Sequence, residues 1–129
     1  MPFIPSGFDG NYISRMLIDE FNSGSDKIQV NHGTLKGGGR TAGAVHKPPY
    51  DEIYIVLKGH AVLHMAGVDY DIKEGTVAFI PGGTFHSLEN KSESENLEII
   101  TIWPGQAEPG VNEVYDMRKK EWGMTYREV

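Results

Sequence analysis

Apolar and polar residues alternate along much of this chain, in short runs broken by turn residues. Tyr12 to Asp19 reads as a first strand with the character of an edge. Asn22-Ser23-Gly24-Ser25 is a turn. Lys27 to Leu35 is extended, Gly37-Gly38-Gly39 turns the chain, and Thr41 to His46 predicts a short strand ended by Pro48-Pro49. Tyr50 to Leu57 is rich in β-branched and aromatic residues and predicts a central strand. Four further strands follow over His60 to Met65, Asp69 to Ile72, Thr76 to Ile80 and Thr84 to Glu89. A last long strand runs from Asn96 to Trp103. Asn112 to Trp122 predicts a short helix, with Arg118, Lys119 and Lys120 late in it, where cations suit the helix dipole.

Many short strands with regular turns predict an all-β sandwich or barrel. The chain has 129 residues, the size of one domain that can bury a core of its own. We expect a single domain over residues 1–129: a barrel over about 27–103, an N-terminal strand over 12–19, and a C-terminal tail over 104–129. The 16 glycines and 7 prolines fit that turn-rich plan.

Charge and composition then narrow the function. Lysine and arginine number 12 against 18 acidic residues, a net charge of −6, which argues against a nucleic-acid partner. There is no cysteine, so disulfides and thiolate chemistry are excluded. No stretch has the apolar length of a membrane span, and the first residues lack the pattern of a secretory signal, so a cytoplasmic location is expected.

Strand parity brings out the candidate chemistry. Side chains alternate across a strand. If Glu52 faces the barrel interior, so do Tyr50, Tyr54 and Val56, while Ile53, Ile55 and Leu57 face out. A strand apolar on both faces is covered on both faces. A second copy of the chain is the expected outer cover, hence a homodimer. A carboxylate in the middle of such a strand needs a partner. Lys47 and Lys58 sit at the strand ends, so a metal ion is the natural one. His46 lies six residues before Glu52, and His86 lies on a later strand just past Pro81-Gly82-Gly83. Two imidazoles and a carboxylate can occupy one face of a metal and leave positions open for water, substrate or dioxygen.

The run Gly75-Thr-Val-Ala-Phe-Ile-Pro81-Gly82-Gly83-Thr-Phe-His86-Ser-Leu-Glu-Asn90 matches G-x5-P-x-G-x2-H-x3-N at every fixed position. This is the second motif of the cupins. His46-Lys-Pro48-Pro-Tyr-Asp-Glu52-Ile-Tyr-Ile-Val-Leu-Lys-Gly59 resembles their first motif, H-x-H-x3-E-x6-G, with Pro48 where a second histidine usually stands. The resemblance covers about residues 27–103. It implies a double-stranded β-helix, the jelly-roll cupin barrel, with a short C-terminal helix or extended tail. It also implies one divalent metal ion (Fe, Zn, Ni or Mn) held by His46, Glu52 and His86. His32 is the candidate extra ligand in place of the missing histidine. By the same resemblance Ala61, Leu63 and Met65 point inward, and His60 and His64 outward.

Tyr54 is the candidate catalytic group, a phenol near the metal acting as general acid or base. Cupin dimethylsulfoniopropionate lyases have a similar Glu-x-Tyr arrangement. Tyr50, Trp103 and Arg40 are the candidates for substrate contact. The leading expectation is a metal-dependent enzyme of isomerase, lyase or cyclase type, in which the metal acts as Lewis acid on a small polar organic molecule. An Fe(II)-dependent dioxygenase is the second reading, and a non-catalytic small-molecule-binding barrel the third.

Overall fold

The computed structural model describes residues 2–4, 10–41, 43, 45, 50–104 and 113–122. Its elements in chain order are β1 (Pro2–Phe3), β2 (Tyr12–Ile18), α1 (Glu20–Ser23), β3 (Ile28–Leu35), β4 (Glu52–Lys58), β5 (His60–Met65), β6 (Val68–Lys73), β7 (Val77–Ile80), β8 (His86–Glu89), β9 (Leu97–Pro104) and α2 (Glu113–Trp122). The strands form a six-stranded sheet, ordered β1-β2-β3-β9-β4-β7, and a three-stranded sheet, ordered β6-β5-β8. All pairings are antiparallel.

Burial follows strand parity closely. Along β3 and β9 buried and partly exposed residues alternate without a break from Gln29 to Leu35 and from Leu97 to Trp103. The inner faces of both sheets supply one core of Leu35, Tyr54, Val56, Ala61, Leu63, Ile72, Ile80, Leu88, Leu97 and Ile99. Each of these is an inward position on its strand. Burying a branched or aromatic side chain there contributes roughly 1.5–3 kcal/mol.

The strand expected over Thr41 to His46 lies in large part outside the described residues; at its start Arg40 forms an isolated bridge with Glu89, and the Thr41 N–H donates to the Leu88 carbonyl. Two local features add to the sequence expectation. Phe3 belongs to a short edge strand on β2 that lies before the first expected element. A one-turn helix precedes the turn at Gly24, because Asp19 caps it, accepting from the Phe21 N–H, and Asn22 reaches back to the Asp19 N–H.

Helix α2 falls where the sequence pattern put it, yet Arg118 is not a solvated charge at its end. It is 2% exposed and donates to Ser14 Oγ and to Asn31 Oδ1 on the inner face of the large sheet. Its guanidinium also stacks 5.5 Å from the Phe3 ring, and Trp122 meets Phe3 edge-on. No helix among the described residues is long and apolar enough to cross a membrane.

Candidate metal and ligand site

Register places the polar side chains of the interior in rows. Gln29 pairs with Trp103, and Glu52 pairs with Ile80. Because Ile53 pairs with Ile102, Glu52 falls beside Trp103 in the same row. One step along the strands, Asn31 pairs with Thr101 and Thr101 with Tyr54. On the opposite sheet Met65 pairs with His86. The Glu52 and His86 side chains therefore approach each other across the barrel from different sheets.

The loop before β8 sets the position of His86. Pro81-Gly82-Gly83 forms a turn closed by a Thr84 N–H to Pro81 carbonyl bond, with Gly83 at φ +83, a left-handed conformation that glycine adopts at little cost. The Gly82 N–H donates to Asp51 Oδ1 at 2.8 Å. Asp51 is the residue before Glu52, so this bond ties the histidine loop to the start of the glutamate strand. Asn90, the last fixed residue of the motif, is structural: its amide donates to the carbonyls of Leu35 and Glu95 and receives the Ser92 N–H.

His86 Nε2 lies 3.3 Å from Glu52 Oε1, and both side chains are more than nine-tenths buried. His86 Nδ1 lies 3.1 Å from the Thr84 carbonyl oxygen. A carbonyl only accepts, so Nδ1 carries the proton, and a neutral His86 then presents the Nε2 lone pair to the carboxylate. Two lone pairs that close, away from water, require a cation between or beside them. A proton satisfies this by making an ion pair; a divalent metal satisfies it with both atoms as ligands. Two donors bound at right angles about 2.1 Å from one metal stand about 3 Å apart, so the separation fits neighbouring ligands. A backbone carbonyl holding the far ring nitrogen is the usual support of a metal-bound histidine. The imidazole and carboxylate donors suit Fe, Zn, Ni or Mn.

Tyr54 donates a hydrogen bond to the Glu52 carboxylate, and its ring lies edge-on to His86 with centroids 6.1 Å apart. Burial first, then the Glu52 charge, pushes its pKa well above the ordinary 10.0. The phenol thus stands beside Glu52 in its protonated form. Trp103 is buried, donates from its indole to Gln29 Oε1 at 3.1 Å, and meets Tyr50 edge-on at 6.4 Å.

Two candidates are corrected. His32 does not point inward. Gln29, Asn31, Gly33 and Leu35 take the inner face of β3, so Val30, His32 and Thr34 take the outer one, where His32 Nε2 lies 3.4 Å from Glu98 Oε1. It is no substitute ligand. Arg40 is exposed and paired with Glu89, whose side chain reaches His64 on the outside of the small sheet, so it does not line the interior. His46 lies outside the described residues. Among the described residues no three metal-binding side chains cluster.

Sequence reasoning also missed a second set of interior polar groups: Tyr12, Ser14, Asn31, Thr101 and Arg118. The alternation Gln29, Asn31, Gly33, Leu35 was legible, but with a glycine and two amides on one side its inward face was not.

Two antiparallel sheets closing over an interior Glu–His pair, with the motif turn delivering the histidine, define a barrel of the jelly-roll class. The Cupin_2 family model, described as a cupin domain, matches residues 31–103. The chain belongs to the cupin family. Among curated proteins it is similar to an oxalate-binding protein of Thermotoga maritima, 41% identical over 51 residues, which are 40% of this chain and 41% of that one. The match thus spans about two fifths of that relative's length. Among solved structures it is similar to a predicted oxalate decarboxylase of Thermotoga maritima, with TM-score 0.71 and 26% identity over 82% of this chain and 93% of the other. The KdgF protein of a Halomonas species shares the fold, with TM-score 0.65 and 12% identity over 76% and 82% of the two chains.

Proposed function

We propose that this cupin holds one divalent metal through His46, Glu52 and His86 and uses it to bind a small carboxylate-bearing molecule inside the barrel. The observation that carries the reading is the buried 3.3 Å approach of His86 Nε2 and Glu52 Oε1, with His86 Nδ1 held by a backbone carbonyl. The names of the two Thermotoga relatives support oxalate or a similar small acid as the first ligand to try.

When bound, the metal would supply Lewis-acid polarisation of a carboxylate or carbonyl oxygen. The chain's own residues do the rest. Glu52 and His86 hold the ion in a dry interior. Trp103 and Tyr50 wall the space beside them. Tyr54, kept protonated by burial and by Glu52, turns its hydroxyl from Glu52 to the ligand when one is bound and serves there as hydrogen-bond donor or general acid. That arrangement suits isomerase, lyase or cyclase chemistry.

A second reading is a protein that binds the acid and releases it unchanged. It is favoured by the name of the curated relative, an oxalate-binding protein. One experiment separates the two. Protein reconstituted with Fe, Zn, Ni or Mn is incubated with oxalate and other small carboxylates, and the acid is followed by NMR. Consumption that disappears in Tyr54→Phe supports the enzyme. Saturable binding with no consumption supports the binding protein. Neither binding nor consumption by any metal form would contradict both.

The partner we assign to the outer face of the large sheet is a second copy of the chain. Val77 and Phe79 are 65% and 57% exposed there. They lie in register with Ile55 and Ile53, which lead on to Ile100, Ile102 and Val30. Monomeric surfaces rarely expose apolar patches beyond a few hundred Å². Sedimentation should find two chains per particle in the wild type and one in Phe79→Asp; a monomeric wild type would end the assignment.

A further inference from the structure

The interior carries more polar side chains than the proposed metal site uses. Ser14, Asn31, Thr101 and Arg118 are all buried, on three strands and a helix. They are not scattered. Asn31, Thr101 and Tyr54 are successive partners across β3, β9 and β4, one row from Glu52. Arg118 enters from α2 and reaches the β2–β3 end of the same stripe.

Tyr12 completes it. Its backbone pairs with Leu35, two rows beyond Asn31. Its side chain leans back along the sheet, over Gly33. A Cβ on Gly33 would stand 2.6 Å from the Tyr12 hydroxyl and 3.0 Å from the ring edge, so any larger residue would push the phenol aside. The ring is inward-facing but only partly buried, packed against the core beside Tyr54.

The bonds around Asn31 fix the direction of the phenol. Asn31 Oδ1 accepts from Ser14 Oγ at 2.6 Å and from Arg118 Nη2 at 3.5 Å. That assigns the oxygen end of the amide toward the cation and leaves Nδ2 directed at the Tyr12 hydroxyl, 3.5 Å away. A phenol oxygen that accepts on one side acts as donor on the other. Burial and the Glu52 charge raise the Tyr12 pKa to about 12, so the proton stays on. Among the charges acting on it, Glu52 raises that pKa and Arg118 lowers it.

We propose that the Tyr12 hydroxyl, seated over Gly33 and oriented by Asn31 and Arg118, belongs to the ligand site. It donates a hydrogen bond to a carboxylate oxygen at the end of the ligand remote from Glu52 and His86. The inference rests on the proposed function and sharpens it: the site takes molecules with two oxygen-bearing ends, one at the metal and one at Tyr12. Arg118 acts behind Asn31 as a positioning residue, adding positive charge to that end.

The test is isothermal titration of the full chain, metal-loaded, with oxalate and with acetate. Tyr12→Phe keeps the ring on Gly33 and removes only the hydroxyl. It should weaken oxalate about tenfold or more, the size of one hydrogen bond to a charged group, with metal content and acetate affinity unchanged. Gly33→Ala should weaken oxalate as well, by displacing the ring. Combined with Tyr12→Phe it should add little, because both act through the same hydroxyl. Oxalate bound by Tyr12→Phe as tightly as by wild type overturns the inference and leaves the proposed function standing. A metal-loaded wild type that binds neither acid overturns the carboxylate reading and this assignment with it.

Discussion

The two ends of the barrel interior are built from the same strands and solve opposite problems. At one end Val56, Leu63, Leu88, Leu97, Ile99 and Ile72 fill the space with hydrocarbon. At the other stand Glu52, Thr101 and His86, two to four residues along the same strands, with Gln29 and Asn31 of β3, all of them buried as well. On β9 the change comes within one pleat, from Ile99 to Thr101; on β4 it runs from Val56 through Tyr54 to Glu52. Hydrophobic burial at the first end contributes stability wherever the ligand is. The polar end buries groups that must find partners, and it does so with bonds to one another and with the close approach of Glu52 and His86. Stability and the proposed chemistry thus fall to different rows of the two sheets, and a substitution should affect one with little effect on the other.

The largest effect should come from the apolar end. Leu63→Ala removes a side chain that is 1% exposed and should lower unfolding free energy by about 3 kcal/mol in chemical denaturation, with the metal content of the folded protein unchanged. A loss below about 1 kcal/mol would mean that this end is not the tightly packed one. Next in size is the stabilisation of the polar end by the proposed ion. Metal at about a hundredfold excess over its Kd should raise stability by about 2.7 kcal/mol, and Glu52→Ala should abolish that gain. Equal stabilisation of wild type and Glu52→Ala would move the ion elsewhere.

The outer faces repeat the contrast. The large sheet presents Ile53, Ile55, Val77 and Phe79, whereas the small sheet presents charge. There His64, on β5, lies between Asp69 of β6, 2.5 Å from Nδ1, and Glu89 of β8, 3.3 Å from Nε2. His60 and Asp71 face the same side one step away. Hydrogen bonds to Asp69 and then to Glu89 raise the His64 pKa above its ordinary 6.5. A raised histidine stabilises the fold fully below the unfolded pKa and loses that contribution as pH rises through the folded one. Stability measured from pH 6 upward should therefore fall through that window in wild type and stay flatter in His64→Ala. The effect should be the smallest of the set, because the group is solvent-screened. An identical pH slope in the two proteins would contradict a stabilising role for His64 between Asp69 and Glu89.

Much of this was legible in the sequence because parity and motif agree. Glu52, Tyr54 and Val56 are inward, as alternation from Glu52 requires, and Pro81-Gly82-Gly83 delivers His86 to the glutamate. His32 was misread because Val30 and Leu35 are both apolar and lie on opposite faces, so composition alone did not choose between them. Arg118 was read as a helix-end charge because no local pattern records that α2 folds back to Ser14 and Asn31, more than eighty residues away in sequence. Tyr12 was read only as part of an edge strand, since its role depends on a glycine of the neighbouring strand.

The proposed metal site has Pro48 where cupins usually carry a second histidine, so its metal content is the property to measure. Elemental analysis of protein purified without an affinity tag, and again after adding Fe, Zn, Ni and Mn, tests it alongside His86→Ala. We expect close to one metal ion per chain in the wild type and its loss in His86→Ala, with the far-UV circular dichroism of the barrel retained. A wild type that stays metal-free after every addition, or a His86→Ala protein that keeps its metal, would contradict the account.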